Sequence, residues 1–553
     1  MTPHELSAEA VTEQAATQPS QPSGKRTTYL LPDGRPDASV LQDRMPPHLQ
    51  VSRAAIMLLA ANGLIFTILS YLPIWHTDVW GHLAYGRWIV EHGVPQWEPL
   101  MPLSRGVSFI DTAWLSQVGG FALFQNFGTA GLQFASAASV AMVMGLLSCG
   151  VYRRTGNVWA SLLTLFAFLA IDSRQLVFNL QMITRPQLAG MACFAIVFML
   201  ATAPRYRQWH TVAIALTFAL WANLHGSFPV GLLVLGTLAV GRYVDFSWRA
   251  RHALAGFRDA TFRRLFVAAE LGAVAVLLNP YGIGIYGEVF AVANNVNLRD
   301  LLEWEPLTMR MFQGQCAAIA AFVLACLYRV SPRRVTTGEL LLLVGFGLLA
   351  LWTSRMIVWW GPLAAYYMGL HTAAAWRAHV KHAPLPSRRA GLNTVVALGL
   401  SWIFFAYTPF GVRLLHGGPK TAEEAAQRFR KTVSRDTPVE ITEWLVEHPQ
   451  PGQIFNSYEW GDYLMWAGPQ DAQLFVTSHV HLIPPEVWRD YRNTSYGLSG
   501  DWERQLDRYS VNTVIMDKMS HQGMIDALQK NEHWERAYED RLGAVFVRRH
   551  PIE

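Results

Sequence analysis

Cysteine and charge are both scarce in this chain. Of its 553 residues only 4 are cysteine and 15% are charged, whereas 51% are hydrophobic and 12% are aromatic. The cysteines lie inside apolar segments without CxxC or Cys/His spacing, so we expect neither a disulfide framework nor a zinc knuckle. This composition predicts long lipid-facing segments instead of several soluble domains.

Other signatures are missing as well. Residues 437–553 contain no Walker loop, no Gly-rich dinucleotide fingerprint and no Ser-His-Asp arrangement. The net charge of +5 comes from short Lys/Arg clusters between apolar runs, which argues against a nucleic-acid partner and indicates membrane topology. We expect no cleaved signal peptide, because the first apolar run begins near Val51 and is long enough to remain as a span.

The apolar segments predict an α-helical polytopic membrane protein with about eleven transmembrane helices. Every second connection is rich in arginine, which places the N-terminus in the cytoplasm and, with an odd number of spans, the C-terminal part outside. The shorter apolar stretch Ala113–Phe127 contains Gln117 and Asn126, so we expect it to lie in the membrane interface. The predicted spans are 53–74, 130–151, 157–171, 186–203, 209–224, 226–241, 265–280, 313–328, 338–353, 356–375 and 391–410.

Composition divides the rest of the chain. Residues 1–50 are rich in Ser, Thr, Gln and Pro and predict a disordered cytoplasmic tail, followed by a transmembrane domain over 51–412. Residues 413–436 read as a linker. In 437–553, short β-rich runs alternate with helical patterns, which predicts a C-terminal soluble α/β domain outside the bacterial cytoplasmic (inner) membrane.

Polar side chains collect in the outer connections, at one predicted depth. The first outer loop, 75–129, is the longest of these connections. Ionisable groups at a membrane boundary are costly unless they pair or line a wet cavity, so their convergence predicts a site. For any single residue, a helix cap or a snorkelling arginine is an equally good interpretation.

Several motifs in these connections resemble those of a known group. They include Asp78-x-Trp80-x-His82-Leu-x-x-Gly, Arg185-Pro-Gln, Trp221-Ala-Asn223-Leu-His225-Gly, Asn279-Pro-Tyr-Gly and Ser354-Arg355-x-Ile. Further on, Asn456-Ser-Tyr-Glu-Trp460-Gly-Asp-Tyr-Leu is similar to the Asn-x-x-x-Trp-Gly-Gly-Tyr-Leu segment of the same group. Over residues 53–550 the chain resembles bacterial polytopic proteins that are similar to GT-C fold glycosyltransferases, with protein O-mannosyltransferases and aminoarabinose transferases as distant relatives.

The resemblance implies a membrane glycosyltransferase that moves a sugar from a polyprenyl-phosphate donor to an acceptor on the extracytoplasmic face. The acid in the first outer loop of the GT-C pattern corresponds to Asp78, the expected catalytic base. Arg185 and Arg355, with His225 and His82 next, are the expected ligands of the donor phosphate, since arginine suits an anionic leaving group.

One residue departs from the pattern. Many relatives carry an acid two places before the equivalent of Asp78, where this chain has His76. A paired-carboxylate site is weakened, so we predict no obligatory metal or other cofactor, although His76 with Asp78 leaves a divalent metal open. The secondary candidates for the site are Asp111, Asn223, Asn279, Glu303 and Glu305.

Two other functions stay open. The chain is alternatively a non-catalytic membrane scaffold or assembly subunit with a GT-C-like fold, or a transporter of lipid-linked glycans. A transporter should carry ionisable residues near the bilayer midplane together with paired repeats, and the sequence suggests neither. Membrane lipids are expected partners, whereas the sugar and the acceptor, whether glycan, lipid or protein, are not specified.

Overall fold

The computed structural model describes residues 35, 45–380, 388–496 and 500–552. The predicted N-terminal tail lies almost entirely outside the described residues. From residue 53 to residue 416 the described chain is mainly helical, with α1 (Arg53–Ser70), α2 (Val79–His92), α3 (Trp114–Phe127), α4 (Thr129–Thr155), α5 (Val158–Leu176), α6 (Gln187–Ala201), α7 (Gln208–Leu224), α8 (Phe228–Ala250), α9 (Ala260–Ala275), α10 (Gly284–Ala293), α11 (Phe312–Val330), α12 (Thr337–Trp352), α13 (Ile357–His379), α14 (Gly391–Ala406) and α15 (Pro409–His416).

Each predicted span coincides with one of these helices, which confirms a helical multi-pass membrane protein. Among the described residues, four helices are long and apolar enough to cross a membrane, namely α1, α4, α8 and α11. The pair α14 and α15, bent by 87°, makes a fifth if it is one span, and α6 and α12 are shorter apolar helices. The count of eleven spans stays a prediction.

The core of the bundle lies around α13, which packs against α4, α5, α11 and α12. Its side chains from Ile357 to Leu370 are almost all buried. A Cβ at Gly369 would come within 2.0 Å of Thr164 Oγ1, so glycine is needed for the close approach of α13 to α5. Helix α13 is therefore in close contact with α5 in the core of the bundle.

The first outer loop contains a pair of packed helices, α2 and α3. The apolar stretch Ala113–Phe127 forms α3, which contacts both α2 and α4. A Cβ at Gly86 would lie 2.2 Å from the carbonyl oxygen of Gln117, so glycine allows the two helices to touch.

The chain beyond residue 416 combines helices with a mixed sheet. Its helices are α16 (Ala422–Thr432), α17 (Val439–Glu447), α18 (Tyr458–Ala467), α19 (Pro485–Ser495), α20 (Trp502–Arg508) and α21 (Gln522–Lys530). The strands of the whole chain are β1 (Val51–Ser52), β2 (Val177–Phe178), β3 (Gln181–Met182), β4 (Arg389–Ala390), β5 (Gln453–Asn456), β6 (Gln473–Leu474), β7 (Val511–Asp517), β8 (Trp534–Glu539) and β9 (Gly543–Arg548).

The sheet has the order β6-β5-β7-β9-β8. Strand β5 is parallel to β6 and β7, whereas β9 is antiparallel to β7 and β8, with Ile515 opposite Val545. The central strand β7 is buried at every residue, as expected of a strand with helices on its faces. We call residues 437–552 the sheet unit.

Two contacts hold the start of the first outer loop against the rest of the fold. Ile74 forms β-bridges with Met182 and with Val433, so three distant chain segments meet at one residue. Helix α18 packs on α2, where the ring of Tyr463 meets that of Trp80 edge to face at 5.2 Å. This packing brings the sheet unit next to the start of α2.

Candidate functional site

A cavity of about 520 Å³ lies between the first outer loop, the ends of the helical bundle and the sheet unit. The sheet unit contributes Tyr458, Glu459 and Ser478 to its wall. The bundle and its loops contribute apolar groups such as Trp75, Phe178 and Phe312 together with charged groups. The charged residues of the wall are Asp78, Arg174, Arg185, Glu303, Arg310 and Glu459.

Asp78 occupies the turn that begins α2. Its backbone has φ 58°, in the left-handed region that residues other than glycine rarely adopt, at a cost of order 1–3 kcal/mol. The Asp78 amide donates a hydrogen bond of 2.7 Å to Asp462 Oδ2. Asp462 Oδ1 in turn accepts one of 3.1 Å from the amide of Ser478. The sheet unit therefore fixes the strained turn.

Four of the predicted residues form one chain of ion pairs. The guanidinium of Arg185 contacts the Asp78 carboxylate and donates to Glu303 Oε2 at 2.8 Å, and Arg355 donates to Glu303 Oε1 at 2.6 Å. Burial raises the pKa of Glu303, but Arg355 and Arg185 outweigh it and lower that pKa to about 2. Glu303 is therefore an anion held between two cations.

Local structure explains why these groups meet. Arg185 directly precedes Pro186 at the start of α6, where the chain cannot yet be helical. Arg355 lies in a short 3₁₀ turn whose Ser354 donates through Oγ to the carbonyl of Glu303 at 3.0 Å. The Arg355 guanidinium also lies over the ring of Trp304, 5.4 Å from its centroid.

Two further arginines of the wall, Arg174 and Arg310, were not among the predicted ligands. Neither has a carboxylate partner among the described residues, in contrast to Arg185 and Arg355. Arg174 lies against Phe178 and Phe312, with its guanidinium 4.9 Å and 5.8 Å from the ring centroids. The wall holds three arginines and three carboxylates, so its charges balance overall. Because Arg174 and Arg310 have no carboxylate partner among the described residues, an incoming anion would meet these two arginines without displacing a salt bridge.

His76 does not join Asp78. Its Nε2 faces Glu459 at 3.5 Å, whereas Asp78 contacts Arg185. Among the described residues, no group of three or more His, Cys, Asp or Glu side chains could hold a metal ion. The donor set at His76 and Asp78 therefore does not fit a metal centre, since the two side chains have different partners.

The two predicted histidines lie beside the cavity, within a group of four. His82 faces His479 of the sheet unit, with ring centroids 5.2 Å apart, and His479 lies 6.0 Å from His481. His225 accepts from or donates to Ser227 Oγ at 2.7 Å. Burial first, then the neighbouring charges, lower the pKa of His225 and of His481 to about 3, so both are neutral at pH 7. Neutral imidazoles can hydrogen-bond a sugar hydroxyl without repelling a cation.

Of the five secondary candidates, only Glu303 lines the cavity. Glu303 is central, as described above. Asn223 accepts from Trp114 Nε1 at 2.8 Å, and Asn279 closes its turn by accepting from the amide of Tyr281 at 2.7 Å, so both amides have structural partners. The side chain of Glu305 is exposed and does not line the cavity.

Asp111 is buried behind His82 and linked to it through Gln117. Gln117 Nε2 lies 3.1 Å from Asp111 Oδ1 and 3.3 Å from His82 Nδ1. Burial raises the pKa of Asp111 to about 7. Asp111 therefore sits at the back of the site, not on its wall.

Asp462 was missed by sequence reasoning, although the sequence held a signal. It stands where the related motif has its second glycine, which is the one departure within that motif. The other motif residues pack: a Cβ at Gly461 would lie 2.1 Å from the carbonyl oxygen of Val476, and Asn456 bonds to the Val476 carbonyl at 2.9 Å. An ionisable residue that replaces a glycine in such a motif and is buried is a candidate for a specific contact, which here is the hydrogen bond from the Asp78 amide.

Fold and cavity together define a multi-pass membrane protein with the GT-C fold, as the sequence resemblance suggested. The structure of ArnT from Cupriavidus metallidurans bound to undecaprenyl phosphate matches it with a TM-score of 0.50 at 12% identity, over 89% of this chain and 97% of that chain. The Archaeoglobus fulgidus oligosaccharyltransferase tethered with an acceptor peptide matches with a TM-score of 0.48 at 13% identity, over 89% and 73%. No protein-family profile and no curated sequence matches the chain.

Proposed function

We propose that the protein is a membrane glycosyltransferase that moves a sugar from a polyprenyl-phosphate donor to an acceptor hydroxyl. The observation that carries the proposal is the cavity whose wall holds the carboxylate of Asp78 together with the arginines Arg174, Arg185 and Arg310. The ArnT structure with the same fold was solved with undecaprenyl phosphate bound, which supports a lipid phosphate as the ligand class here.

The donor phosphate enters the positively charged part of the cavity. Arg174 and Arg310 meet it first, because they have no carboxylate partners among the described residues. Arg185 then exchanges its contact with Asp78 for a phosphate oxygen, while Glu303 keeps Arg185 and Arg355 in place. Guanidinium groups stabilise the charge that develops on the phosphate as it leaves.

The same exchange prepares the base. With Arg185 drawn to the phosphate, the Asp78 carboxylate is free to accept the proton of the acceptor hydroxyl. The hydroxyl oxygen forms a bond to the anomeric carbon, the bond from that carbon to the phosphate oxygen breaks, and polyprenyl phosphate leaves with the bonding electrons. The strained turn, held by Asp462, keeps the carboxylate aimed at the cavity.

The proposed setting is a bacterial cytoplasmic membrane with the cavity on the extracytoplasmic side. The alternation of arginine-rich connections supports this orientation, with the N-terminus inside and the sheet unit outside. Polyprenyl-linked sugars presented on that side would reach the cavity from the lipid, and the acceptor would approach beside the sheet unit.

A non-catalytic scaffold is the second candidate. The observation that favours it is the closed chain Asp78–Arg185–Glu303–Arg355, in which every carboxylate has a partner without any ligand. Such a chain would hold the outer loops together even in a protein that binds no donor.

The two functions are separated by reconstituting the purified protein in liposomes with a panel of radiolabelled polyprenyl-phosphate sugars. We expect donor binding and sugar release by the wild type, and loss of release with retained binding in Asp78→Asn. The matched control is Asp526→Asn, an exposed aspartate on α21 whose change should leave both unchanged. A wild type that neither binds nor consumes any donor would overturn the transferase proposal and leave the scaffold.

A further inference from the structure

A second cavity, of about 500 Å³, lies at the opposite end of the helical bundle from the candidate site. It is formed where α4 and α13 end and where the connection from α11 to α12 passes. We call it the far-end pocket. Its wall contains three arginines, Arg154, Arg333 and Arg377, and no carboxylate.

Arg333 forms the fixed part of this pocket. It donates to Glu339 Oε2 at 2.6 Å, and Glu339 and His371 are fully buried and 2.7 Å apart. Tyr328 also donates to Glu339, at 3.0 Å. The buried network therefore holds one guanidinium at the pocket and neutralises its charge.

Arg154 and Arg377 leave the pocket positively charged. Neither forms an ion pair with a carboxylate in the part of the chain that the structure describes. Arg154 lies over the ring of Tyr366 at 5.7 Å, and Arg377 makes only a long contact of 3.4 Å to the carbonyl of Thr155. With Glu339 offsetting Arg333, the pocket has an excess of two positive charges.

Exposed tryptophans mark the membrane boundary at the level of the pocket. They lie at the same end of the bundle as the far-end pocket, at the start or end of four helices. Trp at such positions is typical of the headgroup region of a bilayer. The four residues, with their exposed fractions, are Trp159 (55%), Trp209 (55%), Trp248 (81%) and Trp376 (36%).

We infer that the far-end pocket binds the phosphate group of an anionic membrane lipid. A phosphodiester at headgroup depth would place its charge between Arg154 and Arg377 and above the fixed Arg333, while its acyl chains run along the bundle. Basic pockets between helices recognise lipid headgroups in this way. This inference is independent of the transfer reaction, because the pocket shares no residue with the candidate site.

The test counts lipids retained by the purified full chain in native mass spectrometry. The probes are phosphatidylglycerol, zwitterionic phosphatidylcholine and inorganic phosphate, each added to the same detergent. The variant is Arg154→Gln with Arg377→Gln. The control is Arg153→Gln with Arg329→Gln, which removes the same charge from exposed arginines that do not line the pocket.

We expect the wild type and the control to retain phosphatidylglycerol over phosphatidylcholine, and the Arg154/Arg377 variant to bind it about tenfold or more weakly. Equal loss in the control would show a general surface attraction and overturn the pocket. Unchanged retention in the variant would overturn it as well. Phosphate binding that the Arg154/Arg377 variant loses, with lipid retention unchanged, would assign the pocket to a soluble anion and overturn the lipid as its source.

Discussion

The backbone amide of Asp78 donates a 2.7 Å hydrogen bond to the carboxylate of Asp462, a residue of the sheet unit. Asp462 is fully buried, and a Cβ at Gly81 would come within 2.9 Å of its carboxyl group, so glycine at position 81 lets α2 approach this side chain closely. The proposed base is thus positioned by a side chain from a different part of the fold.

Replacing Asp462 with Asn should therefore lower turnover more than it weakens donor binding. Asn has one side-chain oxygen, so it can accept from the amide of Asp78 or from that of Ser478, and its NH₂ group then faces the other amide. Losing one of these hydrogen bonds costs about 1–3 kcal/mol. We expect kcat to fall roughly 10- to 100-fold, with KM for the donor changed little. If KM rose by as large a factor as kcat fell, or if the yield of folded protein fell by that factor, Asp462 would have only a structural role.

The charge of Glu303 should show in the pH dependence of stability. Its pKa is about 2 in the folded protein and its ordinary value is 4.5, so its contribution is present above pH 4.5 and is lost as the pH falls towards 2. Glu303→Gln should lower the thermal midpoint at pH 6, where the wild-type anion contributes at most about 3 kcal/mol.

Melting the wild type and Glu303→Gln between pH 6 and pH 3 measures this contribution. The gap between their midpoints should narrow as the pH falls. A gap that stays constant with pH would mean that the anion is not what holds Arg185 and Arg355.

Asp111 should make stability change with pH in the opposite direction to Glu303. Burial raises its pKa from 3.8 to about 7, so the folded state binds the proton more tightly than the unfolded state does. Stability is then lost as the pH rises from about 4 to about 7. Asp111→Asn, which keeps an oxygen for the Ala113 amide, should flatten that decline. Parallel melting curves for variant and wild type from pH 5 to pH 8 would contradict the burial of a neutral acid.

Arg174 and Arg310 should govern donor affinity. Each lines the cavity without a carboxylate partner among the described residues, so its full charge is available to a phosphate. Arg174→Gln or Arg310→Gln should raise the Kd for a polyprenyl phosphate about tenfold. Arg299→Gln, an exposed arginine outside the cavity wall, is the control and should leave the Kd unchanged. Equal effects from all three variants would indicate a diffuse surface charge.

Much of this architecture could be predicted from the sequence, since long apolar runs have few alternatives to helices. The predicted β-rich runs at 453–455, 513–516 and 544–548 likewise fall on β5, β7 and β9, whereas the run at 474–477 shares only Leu474 with β6. Strand β8 was not predicted, because Trp534–Glu539 is mostly exposed and charged and lacks apolar alternation.

The site was harder to predict because its contacts join distant segments. Asp78, Arg185, Glu303 and Arg355 were each named from local motifs, and the structure brings these four together. Whether an arginine is already neutralised depends on its partner, which the sequence does not show. Nothing in the sequence therefore separated Arg174 and Arg310 from the paired arginines. The amides of Asn223 and Asn279 matched motifs equally well, yet they satisfy backbone and ring groups.

The bridges at Ile74 set an order of events during synthesis. Ile74 is paired with Met182 and with Val433, so the base of the first outer loop is completed only when the chain has been made to residue 433. At ordinary translation rates that delay is on the order of tens of seconds after Ile74 itself emerges. A nascent or truncated chain therefore spends this time in the membrane without an assembled cavity, and the proposed transfer cannot begin before synthesis is nearly finished.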